Sequence, residues 1–343
     1  MMPSRAPQKT DTEALPATMR AWVQDSYGPA ENLKLVDLPV PAVGDNDVLI
    51  RVRAAGLDRG VWHLMTGRPY LMRIMGLGFS RPKVRTPGMD VAGVVEAVGR
   101  KVTSFKPGDE VLGTSMAMGA WAEFASAPAD KFVHKPASLT FEQAAALPVS
   151  ALAALKAVRD VAKVEQGQTV LVIGAGGGVG SYAVQLAKLA GAEVTGVCSA
   201  AKAATVLAAG ADHVIDYKRE DITRGGLRYD VILDIAGNRS LTHLRRALAP
   251  RGTLVIVGGE GGGKWFGGID RQLRAMVLSM FTSQRLTSFV SIENPADMKH
   301  LQELAAAGKL APLVEQAFAF EQAGQAMQHL EDGKAKGKIV ITM

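Results

Sequence analysis

Residues 170–180 read VLVIGAGGGVG. The apolar run TVLVIGA (169–175) shows no polar alternation, the character of a strand buried on both faces of a parallel sheet. It breaks into a glycine-rich turn, Ala175-x-Gly177-x-x-Gly180, and a helix is expected over Ser181–Ala190. A small residue at Ala175 permits the tight turn. Gly177 lets the backbone approach a pyrophosphate, and Gly180 lets helix and strand pack closely. Gly178 and Val179 open the helix, whose free N–H groups and dipole favour a diphosphate. The expected ligand is a dinucleotide; the plain alternative is a glycine turn that binds nothing.

The next strand selects the dinucleotide. NAD sites place a carboxylate about 20 residues on, to accept from the ribose 2′-hydroxyl. Here that position is Ser199, and no carboxylate occurs from Val197 to Lys202. A hydroxyl and the Lys202 ammonium suit a 2′-phosphate, and Tyr217, ending the following strand, adds a second hydroxyl. NADPH is therefore the expected cofactor, against the bland reading of Lys202 as a solvated helix residue.

Working outward, strands EVTGVCS (193–199), HVIDY (213–217), DVILDIAG (230–237), GTLVIVGG (252–259) and LTSFVSI (286–292) alternate with helices at Ala201–Ala209 and Ser240–Leu248. That alternation means an α/β Rossmann domain, a doubly wound parallel sheet. Ala236, Gly258 and Gly259 follow strand C-termini, which face the ligand crevice in such sheets, so they are expected beside the cofactor. Before residue 140 the pattern differs. VLIRVRAAG (48–56), DVAGVVEAVG (90–99) and DEVLGTS (109–115) are short strands separated by Gly/Pro turns, which suggests a β-barrel-like domain. Ser138–Val161 reads as helices capped by Thr140, and GKIVITM (337–343) as a last strand that closes the first domain. Residues 1–17 are polar and aperiodic, a disordered tail without the apolar stretch of a secretory signal.

Composition narrows the function classes. With 48% hydrophobic and 21% charged residues, the 343-residue chain is ordinary globular material, and no apolar run reaches a membrane span. The net charge of +6 comes without a basic block or basic–aromatic stripe, so no nucleic-acid partner is expected. One cysteine, Cys198, excludes an internal disulfide and any multi-cysteine metal site. It suits a reducing compartment, and the cytoplasm is the expected location.

The segments VRAAGLD (52–58), GMDVAGVVEAVG (88–99), KPGDEV (106–111), WAEFA (121–125), QAAALPVSALAA (143–154), GAGGGVGSYAVQLAK (174–188), GADHVIDY (210–217) and GKIVI (337–341) carry a resemblance. Over about 19–343 the chain resembles the medium-chain dehydrogenase/reductase superfamily, in its zinc-free, zeta-crystallin-like quinone oxidoreductase branch. The resemblance implies a GroES-like catalytic domain over 18–148 and 293–343 and a Rossmann NADPH-binding domain over 149–292. It also implies a homodimer in which Leu286–Ile292 pairs across a two-fold axis, hiding a sheet edge. The zinc-ligand positions of zinc-dependent members fall on Asp58, Met89 and Val149, with Asp90 in place of a Glu. Met89 and Val149 are not zinc ligands, so no metal is expected.

Without a Lewis acid, simple alcohols are poor substrates, and electron-poor acceptors remain. The expected function is NADPH-dependent, zinc-independent reduction of quinones or α,β-unsaturated carbonyls. A zinc-free NADP-dependent alcohol or carbonyl dehydrogenase, a trans-acting enoyl reductase and a non-catalytic NADPH-binding protein stay open. Asp58 stands where many zinc-free relatives carry Asn; buried, it would be a proton donor, and otherwise a structural carboxylate. Tyr70 is a second candidate donor. The Met-rich stretch 59–86 offers Trp62, Met65, Met75 and Phe79 as an acceptor pocket or as ordinary packing, and Trp265 as a residue closing over it.

Overall fold

The computed structural model describes residues 15–115, 118–259, 263–333 and 335–343. The tail expected at 1–17 lies outside the described residues from 1 to 14, as does part of the loop after Gly259.

β1 (Thr18–Val23) and β2 (Lys34–Pro39) form an antiparallel pair. β3 (Asp47–Leu57) is the spine of the first large sheet, followed by α1 (Arg59–Thr66) and the single turn α2 (Tyr70–Met72). β4 (Asp90–Val98), β5 (Glu110–Thr114), β6 (Phe124–Pro128) and β7 (Phe132–His134) complete its N-terminal part. The alternation expected in β3 holds only in part. Val48, Ile50 and Val52 are buried in the barrel interior, but Leu49 is buried as well, against Met19, Ala21, Ala122 and Phe124. The β1 strand covers what would otherwise be a solvent face.

α3 (Phe141–Ala145) and α4 (Pro148–Leu155) lead out of the barrel. Thr140 accepts from the Gln143 amide at 3.2 Å and Gln143 returns the bond to Thr140, a capping box that satisfies two orphan donors. The second sheet is β8 (Thr169–Ile173), β9 (Glu193–Cys198), β10 (His213–Asp216), β11 (Tyr229–Asp234), β12 (Leu248–Ile256) and β13 (Arg285–Ser288). It is wholly parallel, in the order β10-β9-β8-β11-β12-β13. Helices α5 (Gly178–Leu189), α6 (Ala203–Ala208), α7 (Leu241–Ala247) and α8 (Ile269–Ser279) lie between its strands in sequence.

The apolar run that announced β8 divides between two cores. Val170 and Val172 pack with Tyr182, Ala183 and Leu186 of α5, whereas Leu171 and Ile173 pack with Leu244 and Ala247 of α7 and Ala275 of α8. Each such aliphatic side chain contributes roughly 1.5–3 kcal/mol on burial, which is why the strand tolerates no polar residue. The α5 core continues through α4 and α3 to Ala54, Ala92 and Leu112 of the barrel, so one apolar cluster ties both sheets together.

The chain then forms α9 (Pro295–Ala306), β14 (Val314–Ala319), α10 (Ala323–Glu331) and β15 (Lys338–Thr342). β15 pairs with β14 in parallel and with β3 antiparallel, so the last strand does return to the first sheet. The fold is thus α/β, a Rossmann sheet joined to a GroES-like barrel. One expected strand is shorter than its sequence pattern: β13 stops at Ser288 rather than Ile292. Its pairing partner Ile256 is the last residue of β12, and beyond it the ladder has nothing to bond.

Candidate active site

At the end of β8 the backbone turns through Gly174, whose φ of +88° suits glycine. The Gly177 amide donates to the Gly174 carbonyl at 3.0 Å, closing the turn. A Cβ at Gly180 would fall 2.1 Å from that same carbonyl, so only glycine allows α5 to sit this close. Gly177 stands before the first helical residue, and no side chain caps the helix there. Ala175 is buried behind the turn, and Gly178 and Val179 open α5. A Cβ at Gly258 would lie 2.0 Å from the Ile235 carbonyl, and Ala236 abuts Gly174, so the ends of β8, β11 and β12 converge on one crevice. Uncapped N–H groups above a side-chain-free turn fit the diphosphate of a dinucleotide.

Asp234 braces this crevice and escaped the sequence reading. Fully buried, it accepts from the Gly237 amide at 3.1 Å and from Arg271 of α8. At the far end, Ser199 follows β9 and Tyr217 follows β10, half its surface exposed. The Lys202 stem crosses Gly176, where a Cβ would stand 2.7 Å from Cδ, and its ammonium donates to the Ala335 carbonyl at 2.5 Å. Burial holds the Lys202 ammonium below its ordinary pKa, with Glu315 opposing. The C-terminal segment before β15 therefore joins this end, a contact with no local signal in sequence. Burial pushes the Cys198 thiol up, which makes it a small apolar residue rather than a nucleophile.

Asp58 sits at the junction of β3 and α1. As N-cap it accepts from the Val61 amide at 3.2 Å through Oδ1. Its Oδ2 has no hydrogen-bond partner and lies 3.9 Å from Lys338 Nζ. Asp90, wholly buried at the start of β4, accepts from the Val149 amide at 3.1 Å, and its Oδ2 lies 3.5 Å from the same ammonium. Burial pushes the Asp90 carboxyl up to about 7; Lys338 pulls it down and Asp58 pushes it further up. Lys338 is the first residue of β15, and nothing local distinguishes a lysine beginning a strand from a solvated one. Only the β15–β3 pairing brings it under the site. The donors do not suit zinc: Met89 is packed in the barrel core, Val149 offers an amide, and an ammonium stands between the carboxylates. Among the described residues, no group of three or more His, Cys, Asp or Glu could hold a metal.

The segment 59–86 meets the Rossmann unit directly. The Tyr70 amide donates to the Lys264 carbonyl at 2.9 Å, the Leu71 amide to Trp265 at 3.1 Å, and the Tyr70 and Trp265 rings pack edge to face at 5.3 Å. Trp62 is half-buried beneath Arg59. The residues expected at the acceptor pocket lie in different surroundings. Met65 is fully buried in the barrel core, beside a cavity of about 170 Å³ that Leu64, Leu77 and Gly88 also line. Met75 and Phe79 are 74% and 79% exposed, because a turn through Gly76 and Gly78, both at positive φ, carries them away from the barrel.

Comparison with known proteins agrees with this geometry. Residues 44–137 match the alcohol dehydrogenase GroES-like domain, and residues 209–341 match a family described as zinc-binding dehydrogenase. The chain is 32% identical over 342 residues to the chloroplastic quinone-oxidoreductase QR1 of Triphysaria versicolor, covering 94% of this chain and 98% of that protein. It is 33% identical to the human mitochondrial NAD(P)H oxidoreductase RTN4IP1, covering 95% and 89%. The solved quinone oxidoreductase of Coxiella burnetii superposes with a TM-score of 0.81 at 28% identity, covering 95% and 99%. With the fingerprint turn, the two sheets and these relatives in agreement, the chain belongs to the medium-chain dehydrogenase/reductase superfamily, in its quinone-oxidoreductase-like branch, and is an oxidoreductase using a nicotinamide cofactor.

Proposed function

We propose that this enzyme is an NADPH-dependent, zinc-independent reductase of quinones or α,β-unsaturated carbonyls, with 149–292 as the cofactor unit and 18–148 with 293–343 as the catalytic unit. The observation that carries the reading is Lys338 between Asp58 and Asp90, directly below Gly178. In place of a metal the site offers an ammonium flanked by two carboxyls. That arrangement serves an acceptor needing a hydride and a proton better than an alcohol needing Lewis-acid activation. The cofactor, when bound, supplies the hydride. Gly177, Gly178, Val179 and Gly180 hold the diphosphate. Ser199, Lys202 and Tyr217 receive the 2′-phosphate, and Ala236, Gly258 and Gly259 border the nicotinamide. Tyr70 and Trp265, packed edge to face, border the acceptor side together with Trp62. Asp58 gives the proton, because its buried Oδ2 is free of any hydrogen bond and lies 3.9 Å from the Lys338 ammonium.

The protein acts as a homodimer through its outer strand β13, where Val290 and Ile292 stand exposed beyond the ladder. The test is NADPH oxidation in the presence of a chelator, against 1,4-benzoquinone, 9,10-phenanthrenequinone and a series of enones, with NADH as control. Turnover with preference for NADPH supports the reading. Alcohol-dependent NADP⁺ reduction without quinone or enone turnover overturns it, and a preference for NADH removes the roles of Ser199 and Lys202.

A further inference from the structure

Four buried polar atoms in one place have no hydrogen-bond partner within the protein: Asp58 Oδ2, Asp90 Oδ2, Lys338 Nζ and Ser150 Oγ. Folded proteins seldom bury such groups unsatisfied, and a set of them calls for a reason. These four converge. Lys338 Nζ stands 3.5 Å from one carboxylate oxygen and 3.9 Å from the other, just beyond direct bonding to either. Lys338 and Asp90 are 2% and 0% exposed, whereas Asp58, at 9%, is the member nearest the surface. The Lys338 stem passes Gly178, where a Cβ would lie 2.9 Å from Cδ and 3.3 Å from Ser150 Oγ. The cluster thus shares a wall with the cofactor turn.

We propose that Asp58, Lys338 and Asp90 form a proton relay, with Asp58 the outlet to the acceptor, Lys338 the carrier and Asp90 the store. It rests on the reductase reading above and deepens it. The charges balance. Before reaction the cluster holds Asp58 as carboxylate, Lys338 as ammonium and Asp90 as the neutral acid, a net charge of zero. The cofactor, when bound, would supply a hydride to the acceptor, which would then carry the charge as an oxyanion. Asp90 gives its O–H proton to Lys338 as Lys338 gives an N–H proton to Asp58. Asp58 then gives that proton to the oxyanion, the electron pair of its O–H bond staying on the carboxylate. The cluster ends at a net charge of −1, one proton having passed to the acceptor. After product leaves, one proton from solvent reloads it through Asp58.

The groups facing Asp90 fit a store. Val149 of α4 fixes one oxygen, the Thr114 hydroxyl of β5 is buried without a hydrogen-bond partner, and Tyr182 of α5 spends its hydroxyl on the Ala146 carbonyl at 3.1 Å. Burial raises the Tyr182 phenol well above its ordinary value, which removes it from the exchange. Lys338 and Asp58 are the charges that act on Asp90, and the Lys338 ammonium is the nearer, 3.5 Å from its free oxygen.

The test uses the full chain and two readouts. Infrared difference spectra of the cofactor-free protein between pH 5 and 9 should show a protonated carboxyl titrating near neutrality that vanishes in D90N. In steady state with a saturating acceptor, K338M and D58N should lose kcat by about 10²-fold with NADPH affinity, followed by fluorescence, unchanged. Both should lose the neutral limb of the pH profile, and K338R should recover part of kcat. An unchanged kcat with a weakened NADPH affinity in K338M overturns the relay and makes the lysine a cofactor anchor. Absence of the infrared band from the wild type overturns it even if a variant fails to fold. Wild-type protein that oxidises no NADPH with any acceptor overturns the reductase reading itself, a different outcome from turnover that the variants leave intact.

Discussion

Asp90 shows how a single buried residue couples the fold to pH. Burial raises its carboxyl to about 7, while the unfolded chain titrates it near the ordinary aspartate value, about 3.9. The folded protein therefore holds a proton that the unfolded chain releases first. Its contribution to stability is fully present below about pH 3.9 and is lost as pH rises to about 7. We expect Asp90→Asn, nearly isosteric with the neutral acid, to match the wild type in denaturant at pH 4. At pH 8 the variant should be more stable, by on the order of a few kcal/mol, because no buried charge has to form. Urea titrations at the two pH values check this. Equal differences at both would mean that Asp90 is already ionised in the acid range. Asp58 faces the same ammonium and also caps α1 through the Val61 amide. Two aspartates of identical composition thus differ only in what surrounds them.

At the scale of elements, the glycine turn separates a requirement of packing from one of ligand. At Gly180 an added Cβ would press on the Gly174 carbonyl at 2.1 Å, whereas at Gly177 the nearest atom is the same oxygen at 3.4 Å, and φ is an ordinary −101°. Gly180→Ala should cost roughly 1–3 kcal/mol of stability, since α5 must shift against β8. Gly177→Ala should stay within about 0.5 kcal/mol of the wild type and yet weaken NADPH binding, since its methyl group occupies the approach to the helix N-terminus. Thermal unfolding and a fluorescence titration of each variant separate the two effects. Equal destabilisation by both would show that the turn is constrained as a unit. The segment carrying Tyr70 and the loop carrying Trp265 behave as a pair of elements as well. Backbone bonds from Tyr70 to Lys264 and from Leu71 to Trp265 hold them together.

For the whole molecule, the free outer strand of the Rossmann sheet has the largest consequence. β13 pairs with β12 on one side only, and Phe281, Val290 and Ile292 next to it are 78%, 82% and 69% exposed. An edge strand beside apolar side chains invites a second copy, and two-fold pairing closes it. Sedimentation of the proposed dimer should give twice the 36.2 kDa chain mass. Val290→Asp with Ile292→Asp should yield a monomer with an unchanged far-UV spectrum. A wild type that sediments as a monomer at micromolar concentration would remove the dimer from the reading. Among the described residues no helix is long and apolar enough to cross a membrane.

Periodicity and glycine spacing were enough to place the Rossmann sheet, its strand-to-helix turn and the barrel strands. Those features depend on neighbours within a few residues: an apolar run needs two covered faces, and a glycine needs a close backbone. The same locality places Ala175, Gly177 and Gly180 in the turn after β8 and Ser199 at the end of β9. Long-range pairing supplied the rest. Lys338 lies 280 residues after Asp58 and 248 after Asp90, and meets them because Ile339 pairs with Leu57 in the barrel. Ala335 reaches Lys202, and Arg271 reaches Asp234, through the same closure of distant segments. Met65 shows the converse, an adaptable side chain that could line a pocket or fill a core. The helix pattern of residues 59–66 is compatible with either, and only the packing of α1 against the barrel directs Met65 inward. Local chemistry set the fold and the glycine turn; which charges would share a buried space was a property of the closed barrel.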